Sequence, residues 1–466
     1  MVHQERNSLS SLNKIFRAYD IRGTYPEQIN KKVFYDLGRT LGTTIKDSNN
    51  EPVVICRDGR TTSEDLQASM MSGITSCGID VIDIGLLPTP LMNFTLKYEN
   101  LNNGLMITGS HNPKNYNGVK IVLDGLTLYG DYIQSLKNKM INNEYHVSEK
   151  MGKITTDTSI SSKYIQFIKS KISFNSSIKI IIDCGNGVTS TIIRSLCSEL
   201  KINAVIINED IDGNFPNHPP DPSNPENLKQ LYDAINKNSA DLGVAFDGDG
   251  DRIILMKKNG EIVWPDQLMM IFSQTILKNN PNRSIVYDVK CSQHLENIIR
   301  ENKGKPIISR TGHSYIKKTI KDHDAILGGE MSGHIFFNDS WFGFDDGMYA
   351  MVRLMEIFSK LENIDDVFKN LPKSITTPEI SIKYDDNHFT FMEKFVKLSM
   401  FSEAKKSEID GLKLIYDDGW GLIRCSNTSP CLVLRFEANS KKSLLRIQSI
   451  FKDAMLEIDN KIQIPF

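Results

Sequence analysis

An apolar, strand-like run followed by a helix-like stretch recurs three times in this chain. That recurrence limits the fold more than any bulk property does. Val53-Val-Ile-Cys-Arg-Asp58 leads through Gly59-Arg-Thr-Thr-Ser63 into a helical pattern. Ile178-Lys-Ile-Ile-Ile-Asp183 does so through Cys184-Gly-Asn-Gly187, and Ser284-Ile-Val-Tyr-Asp288 through Val289-Lys-Cys291. Short apolar strands alternating with helical patterns specify βα units on parallel or mixed sheets. Within each unit a second strand follows: Gly104-Leu-Met-Ile107, Leu242-Gly-Val-Ala-Phe246 and Ala325-Ile-Leu327. A polar loop begins where each of these ends, and open α/β sheets bind ligands beyond the carboxyl ends of their strands. Asn214–Asn227, rich in Pro and Asn, is a further loop. The last part of the chain departs from the scheme. Strands are expected at Ile380–Tyr384, Lys413–Tyr416, Gly421–Arg424 and Cys431–Phe436, with helices at Phe389–Leu398 and Lys442–Asp459. The reading is three similar α/β domains with mixed sheets, 1–155, 156–260 and 261–372, then an α+β domain, 373–466, whose sheet is mainly antiparallel.

The 466 residues suit three or four domains at roughly 150 residues each. A formal charge of −2 argues against a nucleic-acid surface, which carries a clear basic excess. Anionic ligands must therefore be held by local clusters of positive charge. The first residues, Met1 to Ser8, lack an apolar h-region, so no signal peptide is expected. No run approaches the ~20 apolar residues of a membrane helix, and Leu268-Met-Met-Ile-Phe272 is a short core segment. The seven cysteines are scattered without a Cys-x-x-Cys pair, as in a reduced, cytoplasmic protein.

Four loops carry chemistry. Thr108-Gly-Ser-His-Asn-Pro113 offers Ser110, whose hydroxyl needs a neighbouring base or positive charge to act as a nucleophile. His111 and Lys120 are the candidates, and the hydrolase elbow Gly-x-Ser-x-Gly is absent. Asp247-Gly-Asp-Gly-Asp-Arg252 places three carboxylates close enough to repel unless a cation joins them, and hard oxygen ligands suit Mg²⁺ or Ca²⁺. An EF-hand loop fails, with Arg252 at its glycine position and Lys258 at its glutamate position. Three carboxylates leave positions open for phosphate oxygens and water, which points to catalytic Mg²⁺. Gly329-Glu-Met-Ser-Gly-His334 presents Glu330, Ser332 and His334 on alternate positions, facing one way if the segment is extended. Arg424, Ser426, Asn427 and Thr428 supply a guanidinium fork, hydroxyls and an amide suited to phosphate. Each loop alone also fits a plain turn. Together they describe phosphoryl transfer on a hydroxylated substrate.

These residues bring a family into view. The chain resembles the α-D-phosphohexomutases along essentially its full length, and most closely the phosphomannomutase/phosphoglucomutase branch. The resemblance rests on the loops above together with Phe16-Arg-Ala-Tyr-Asp-Ile-Arg-Gly23, Asp288-Val-Lys-Cys291 and Thr311-Gly-His-Ser314. It implies four domains around a central cleft: a phosphoserine-bearing first, a metal-binding second, a sugar-recognising third and a phosphate-binding fourth.

It also implies roles. Ser110 would carry a phosphoryl group, and one phosphoserine oxygen would join Asp247, Asp249 and Asp251 around a single Mg²⁺. The 1- and 6-phosphates of mannose and of glucose would interconvert through a hexose 1,6-bisphosphate, with glucose 1,6-bisphosphate as activator and intermediate. Arg424, Ser426, Asn427 and Thr428, with Tyr19 and Lys290, would clamp the phosphate that is not transferred. Glu330 and Ser332 would read sugar hydroxyls, with His313 and His334 nearby. Arg252 and Lys120 would neutralise charge at the transferring group. Arg22, Lys120, His111 and His334 stand as unranked acid/base candidates. The expected enzyme is a cytoplasmic monomer acting on hexose phosphates, with neither nucleic acid nor membrane as partner. The alternatives are phosphoglucosamine mutase, which usually has Gln where this chain has Met331; a phosphatase, whose Asp-x-Asp-x-Thr/Val motif is lacking; and a binding protein without catalysis.

Overall fold

The computed structural model describes residues 12–17, 20–384, 387–398, 401, 403–426 and 430–466. Three sheets share one topology. In each, the shared part begins at a central strand, Val53–Arg57, Lys179–Asp183 or Ser284–Asp288; in the first sheet Ile21–Thr24 precedes it and adds an edge strand. A helical crossover leads to a parallel neighbour on one side, namely Val81–Leu86, Asn203–Ile207 or Lys305–Ser309. A second crossover leads to a parallel neighbour on the other side, Asn103–Ile107, Leu242–Phe246 or Leu327–Gly329. A fourth strand then returns antiparallel to the third: Tyr116–Leu123, Ile253–Lys257 or Ile335–Phe337. The central strands read as unbroken Val/Ile runs because helices bury them on both faces. Val53, Val54, Ile55, Ile180, Ile181 and Ile182 are all fully buried.

The loops joining third to fourth strand are 108–115, 247–252 and 330–334, so the three chemical loops occupy equivalent places. In the third unit the strand starts two residues later than the sequence suggests. The Ala325 amide instead closes the preceding helix by donating to the Ile320 carbonyl at 2.9 Å. The final sheet of six strands is wholly antiparallel. Helices His388–Lys397 and Lys441–Ile458 cover it, burying Phe391, Phe395, Ile447 and Phe451 against Leu414, Ile423 and Phe436. No helix among the described residues is long and apolar enough to cross a membrane.

One hydrophobic core runs through the first three units. Phe94 of the first lies 5.4 Å from Tyr164 of the second and 5.9 Å from Trp341 of the third, ring centroid to ring centroid. The fourth domain keeps its own core and meets the third through a smaller apolar contact, Val289 with Trp420 and Leu422. Polar groups complete that junction. Arg435 donates to the Lys290 carbonyl, and the Ser292 hydroxyl donates to Glu437 at 3.0 Å.

Lys413 is buried in the same junction, donating to the Val289 carbonyl at 2.8 Å and lying 3.8 Å from the Trp420 ring centre. Burial pulls its pKa from 10.5 down to about 8. The unfolded lysine keeps its proton up to about 10.5, whereas the folded one releases it near 8. Between those values the unfolded state binds more protons, so stability rises with pH across that window. Replacing Lys413 with Met should remove about 2 kcal/mol of the rise between pH 8 and 10, read by urea unfolding at both values. Parallel pH dependence in both proteins would show that Lys413 contributes nothing to it.

Candidate active site

The loop 247–252, termed the metal loop for the cation its three aspartates could hold, lies at the centre because all three α/β units meet on it. Helix Thr89–Tyr98 of the first unit starts against it, the Thr89 amide donating to the Asp249 carbonyl at 3.0 Å and its hydroxyl to the Asp249 carboxylate at 2.6 Å. Helix Gly347–Phe358 of the third unit docks by the Gly347 amide on the Gly250 carbonyl at 3.2 Å. A Cβ at Gly347 would lie 2.7 Å from the Arg252 carbonyl oxygen, so glycine is what permits this approach.

Asp247, Asp249 and Asp251 are fully buried, with carboxylate oxygens from all three within 4.8 Å of one another. The Asp247 Oδ1 is held by the amides of Gly250 at 3.0 Å and Arg252 at 3.1 Å. Lys120, from the fourth strand of the first unit, bridges Asp249 at 2.6 Å and Asp251. Burial opposes the ammonium, but these carboxylates outweigh it and hold its pKa above the ordinary lysine value. Asp247 has only a more distant cation, the Arg252 Nε at 3.8 Å from its Oδ2. Burial, then the charges of Asp249 and Asp251, push its carboxyl well above the usual range. Oδ1 of Asp249 and Oδ1 of Asp251 are buried with no hydrogen-bond partner among the described residues. Hard, anionic and unsatisfied oxygens of this kind fit a divalent cation of the Mg²⁺ or Ca²⁺ type. The loop therefore passes, on its own geometry, as a place for a metal.

Ser110 meets this cluster from the nucleophile loop. It is 1 % exposed and its backbone is left-handed, with φ at 48°. Its hydroxyl donates to the Asp247 Oδ2 at 3.0 Å and lies 3.2 Å from the His111 Nδ1. Burial, then the nearby Arg252 and Arg22, hold the His111 pKa well below 6.5, so the imidazole is neutral at pH 7. Arg22 joins the same rim, its guanidinium 2.6 Å from Asp20 and 2.6 Å from the Asn112 amide oxygen.

The third loop is not extended. The Glu330 amide donates to the His334 carbonyl at 2.9 Å, the Gly333 amide returns to the Glu330 carbonyl at 3.0 Å, and Gly333 has φ of 104°. Only a residue tolerant of positive φ closes so tight a turn. Glu330, Ser332 and His334 consequently do not share a face by alternation. The buried Glu330 carboxylate accepts from the Gly312 amide at 2.6 Å, and burial raises its pKa. His334 turns to the metal loop, where its Nε2 accepts from the Arg252 Nε at 3.0 Å. Its Nδ1 lies 3.0 Å from Asp345, whose other oxygen meets the Lys317 ammonium at 2.6 Å. Asp251, His334 and Asp345 could also group around an ion. Lys317 already compensates that carboxylate, so the group reads as a histidine oriented by an aspartate. His313 stacks on His334 with ring centroids 5.6 Å apart.

Between the third and fourth domains, Lys290 meets Glu379 at 2.6 Å. Burial works against the Glu379 charge, but Lys290, Arg435 and Arg424 hold its carboxyl below the ordinary value. Arg424 donates to Asp410 at 2.8 Å, and Asp410 accepts from the Thr311 amide at 3.1 Å, linking the fourth domain to the third. The Ser426 amide donates to the Cys431 carbonyl at 3.0 Å. Tyr19, Asn427 and Thr428 lie outside the described residues.

Sequence reasoning passed over Asp58, Arg60, Thr89, Asp345, Lys317 and Asp410. One signal was available. Each central strand ends in an aspartate or, for Asp58, is directly followed by one, and each such side chain organises the loops beyond it. Asp58 accepts from the Thr108 hydroxyl at 2.7 Å, Asp183 from the Gly185 amide at 2.9 Å, and Asp288 from the Thr311 hydroxyl at 3.3 Å.

Known proteins match this chain throughout. Sequence profiles of phosphoglucomutase/phosphomannomutase fit in order: alpha/beta/alpha domain I at residues 13–146, domain II at 162–260, domain III at 264–375 and the C-terminal domain at 379–454. A "Phosphomannomutase/phosphoglucomutase" of Pseudomonas syringae pv. tomato is 42% identical over 454 residues, 97% of each chain. A "Phosphoglucomutase" of Neisseria gonorrhoeae is 40% identical over 441 residues, 94% of this chain and 96% of its own. The crystal structure of a phosphoglucomutase/phosphomannomutase family protein from Burkholderia thailandensis superposes with a TM-score of 0.92 at 37% identity, covering 97% of this chain and 99% of that one. Shared domains, shared order and full-length identity leave one conclusion: the chain belongs to the phosphoglucomutase/phosphomannomutase family, whose members are intramolecular phosphotransferases.

Proposed function

We propose that this chain is a Mg²⁺-dependent phosphohexomutase that interconverts the 1- and 6-phosphates of mannose and of glucose. The observation that carries the reading is the Ser110 hydroxyl, buried and 3.0 Å from Asp247 within a cluster of three aspartates. Asp247, Asp249 and Asp251 would hold the Mg²⁺ together with a phosphoserine oxygen. Bound there, the ion would supply positive charge against the oxygens of the transferring group.

The rest of the cycle belongs to the chain. A hydroxyl oxygen of the sugar monophosphate attacks the phosphorus on Ser110. The new O–P bond forms as the Oγ–P bond breaks; the attacking hydroxyl passes its proton to a base, and Oγ takes one up. The resulting bisphosphate reorients, and the same exchange runs backwards with the other phosphate. Neutral His111, beside Oγ, is placed to move a proton at that atom, and His334, Arg22 and Lys120 are the other candidates. Arg252 and Lys120 balance charge on the equatorial oxygens, the dominant need in phosphoryl transfer. Lys290, Arg424 and Ser426, with Tyr19, Asn427 and Thr428, form the clamp for the phosphate at rest. Glu330, Ser332 and His313 read hydroxyls. The domains divide at about 155, 260 and 372, and the enzyme is a cytoplasmic monomer started by glucose 1,6-bisphosphate.

The test is isomerisation of mannose, glucose and glucosamine 1-phosphates, run in parallel with Mg²⁺ and a trace of glucose 1,6-bisphosphate. Comparable rates on mannose and glucose are expected. A dominant glucosamine rate would assign the chain to phosphoglucosamine mutase, and free phosphate without isomer would end the mutase reading.

A further inference from the structure

We propose that Arg60 is a positioning residue for phosphoryl transfer, fixing the backbone of the nucleophile loop against the metal loop. The proposal rests on the phosphohexomutase reading for its kinetics but not for its geometry. A guanidinium carries five N–H groups, and in Arg60 every one is used. Nη2 donates to the carbonyls of Ser110 at 2.8 Å and Asn112 at 2.6 Å. Nη1 donates to those of Pro113 at 2.7 Å and Tyr116 at 3.0 Å. Nε donates to Asp58 at 3.2 Å. Arg60 therefore gathers the backbone of the loop from the nucleophile to the start of its return strand, and it does so at 2 % exposure.

The surroundings are cut to admit it. A Cβ at Gly109 would lie 2.5 Å from the guanidinium carbon, and one at Gly213 would lie 2.6 Å from the Arg60 Cα. Asp58 holds the other side of the loop through the Thr108 hydroxyl at 2.7 Å and the Gly109 amide at 3.2 Å. The Pro/Asn-rich loop of the second domain covers the guanidinium with the Phe215 ring, whose centroid is 5.0 Å away. That same loop reaches the metal loop, where the Gly248 amide donates to the Pro220 carbonyl at 3.2 Å.

The purpose is visible at Ser110. Its left-handed backbone, disfavoured for a residue bearing a Cβ, aims the carbonyl at Arg60 and the hydroxyl at Asp247. The margin is narrow, since a Cβ at Gly248 would already lie 2.6 Å from the Ser110 carbonyl oxygen. Displacement of a reacting atom by about 1 Å costs roughly a hundredfold in rate.

Lysine at position 60 keeps the charge but has three donors on one nitrogen and cannot span four carbonyls. Arg60→Lys should lower kcat by about 10- to 100-fold, with KM and Mg²⁺ affinity within about threefold of the native values. Hydrogen–deuterium exchange supplies a readout independent of turnover. Amides of Ser110, Asn112 and Tyr116 should exchange faster in Arg60→Lys, while strand Leu242–Phe246 should not change. If Arg60→Lys does not fold, Phe215→Ala, which leaves the arginine and removes its cover, should speed exchange in the same loop. Unchanged exchange at 108–116 in the folded variant overturns the proposal whatever the activity. A native chain lacking mutase turnover would instead defeat the functional reading and leave exchange to decide this one.

Discussion

Ser110→Ala should lose at least about four orders of magnitude in turnover, roughly 5 kcal/mol of barrier lowering. The change should leave the fold nearly untouched. The side chain is buried, but it makes a short list of contacts: its hydroxyl donates to Asp247 and lies beside His111. Removing a single hydrogen bond of this kind changes stability by about 1 kcal/mol. Asp247 keeps the Gly250 and Arg252 amides on its other oxygen. Neighbouring hydroxyls are engaged elsewhere: that of Thr89, at a helix start, donates to Asp249 at 2.6 Å, and that of Thr108 donates to Asp58 at 2.7 Å. Turnover of the three sugar 1-phosphates by the native protein and the variant, with thermal unfolding of both, checks this. Retained activity in a folded Ser110→Ala protein would remove Ser110 as phosphoryl carrier.

Lys120→Met should have its largest effect on stability, and only in the absence of a divalent cation. The three aspartates are wholly buried, and the Lys120 ammonium bridges two of them. Deleting one partner of a buried charge group leaves the other uncompensated at a cost of about 3–5 kcal/mol. In chelator the variant should therefore unfold about 5 °C below the native protein. Saturating Mg²⁺ should restore most of the difference, because an ion that binds the folded state alone stabilises it by mass action. An equal deficit with and without Mg²⁺ would mean that Lys120 supports the fold in some way other than charge balance.

The chemistry at the metal loop was legible in the sequence because it is local. Asp247, Asp249 and Asp251 sit at alternate positions directly after a buried strand, and no distant residue is needed to see that a cation must reconcile them. The three βα units were legible for a related reason: strands buried on both faces read as continuous apolar runs. What stayed hidden is long-range. Arg60 acts on carbonyls fifty or more positions away, and backbone oxygens leave no mark in a sequence. Asp345 and Lys317 bear on His334 only because the chain at Asp345 bridges back to Phe336 and helix His313–Asp322 brings Lys317 onto that carboxylate. The turn at Glu330 to His334 was open to misreading. Alternating polar residues suggest an extended segment, and the positive φ of Gly333 decides otherwise.

A phosphoryl group carried by Ser110, passed to a sugar and replaced by another, can be followed directly. Isolated protein labelled at Ser110 with radioactive phosphate would be mixed, in Mg²⁺, with unlabelled glucose 1-phosphate for a single turnover. Label should leave the protein and appear in glucose 1,6-bisphosphate and then glucose 6-phosphate. Label remaining on the protein, or emerging as inorganic phosphate, would contradict it.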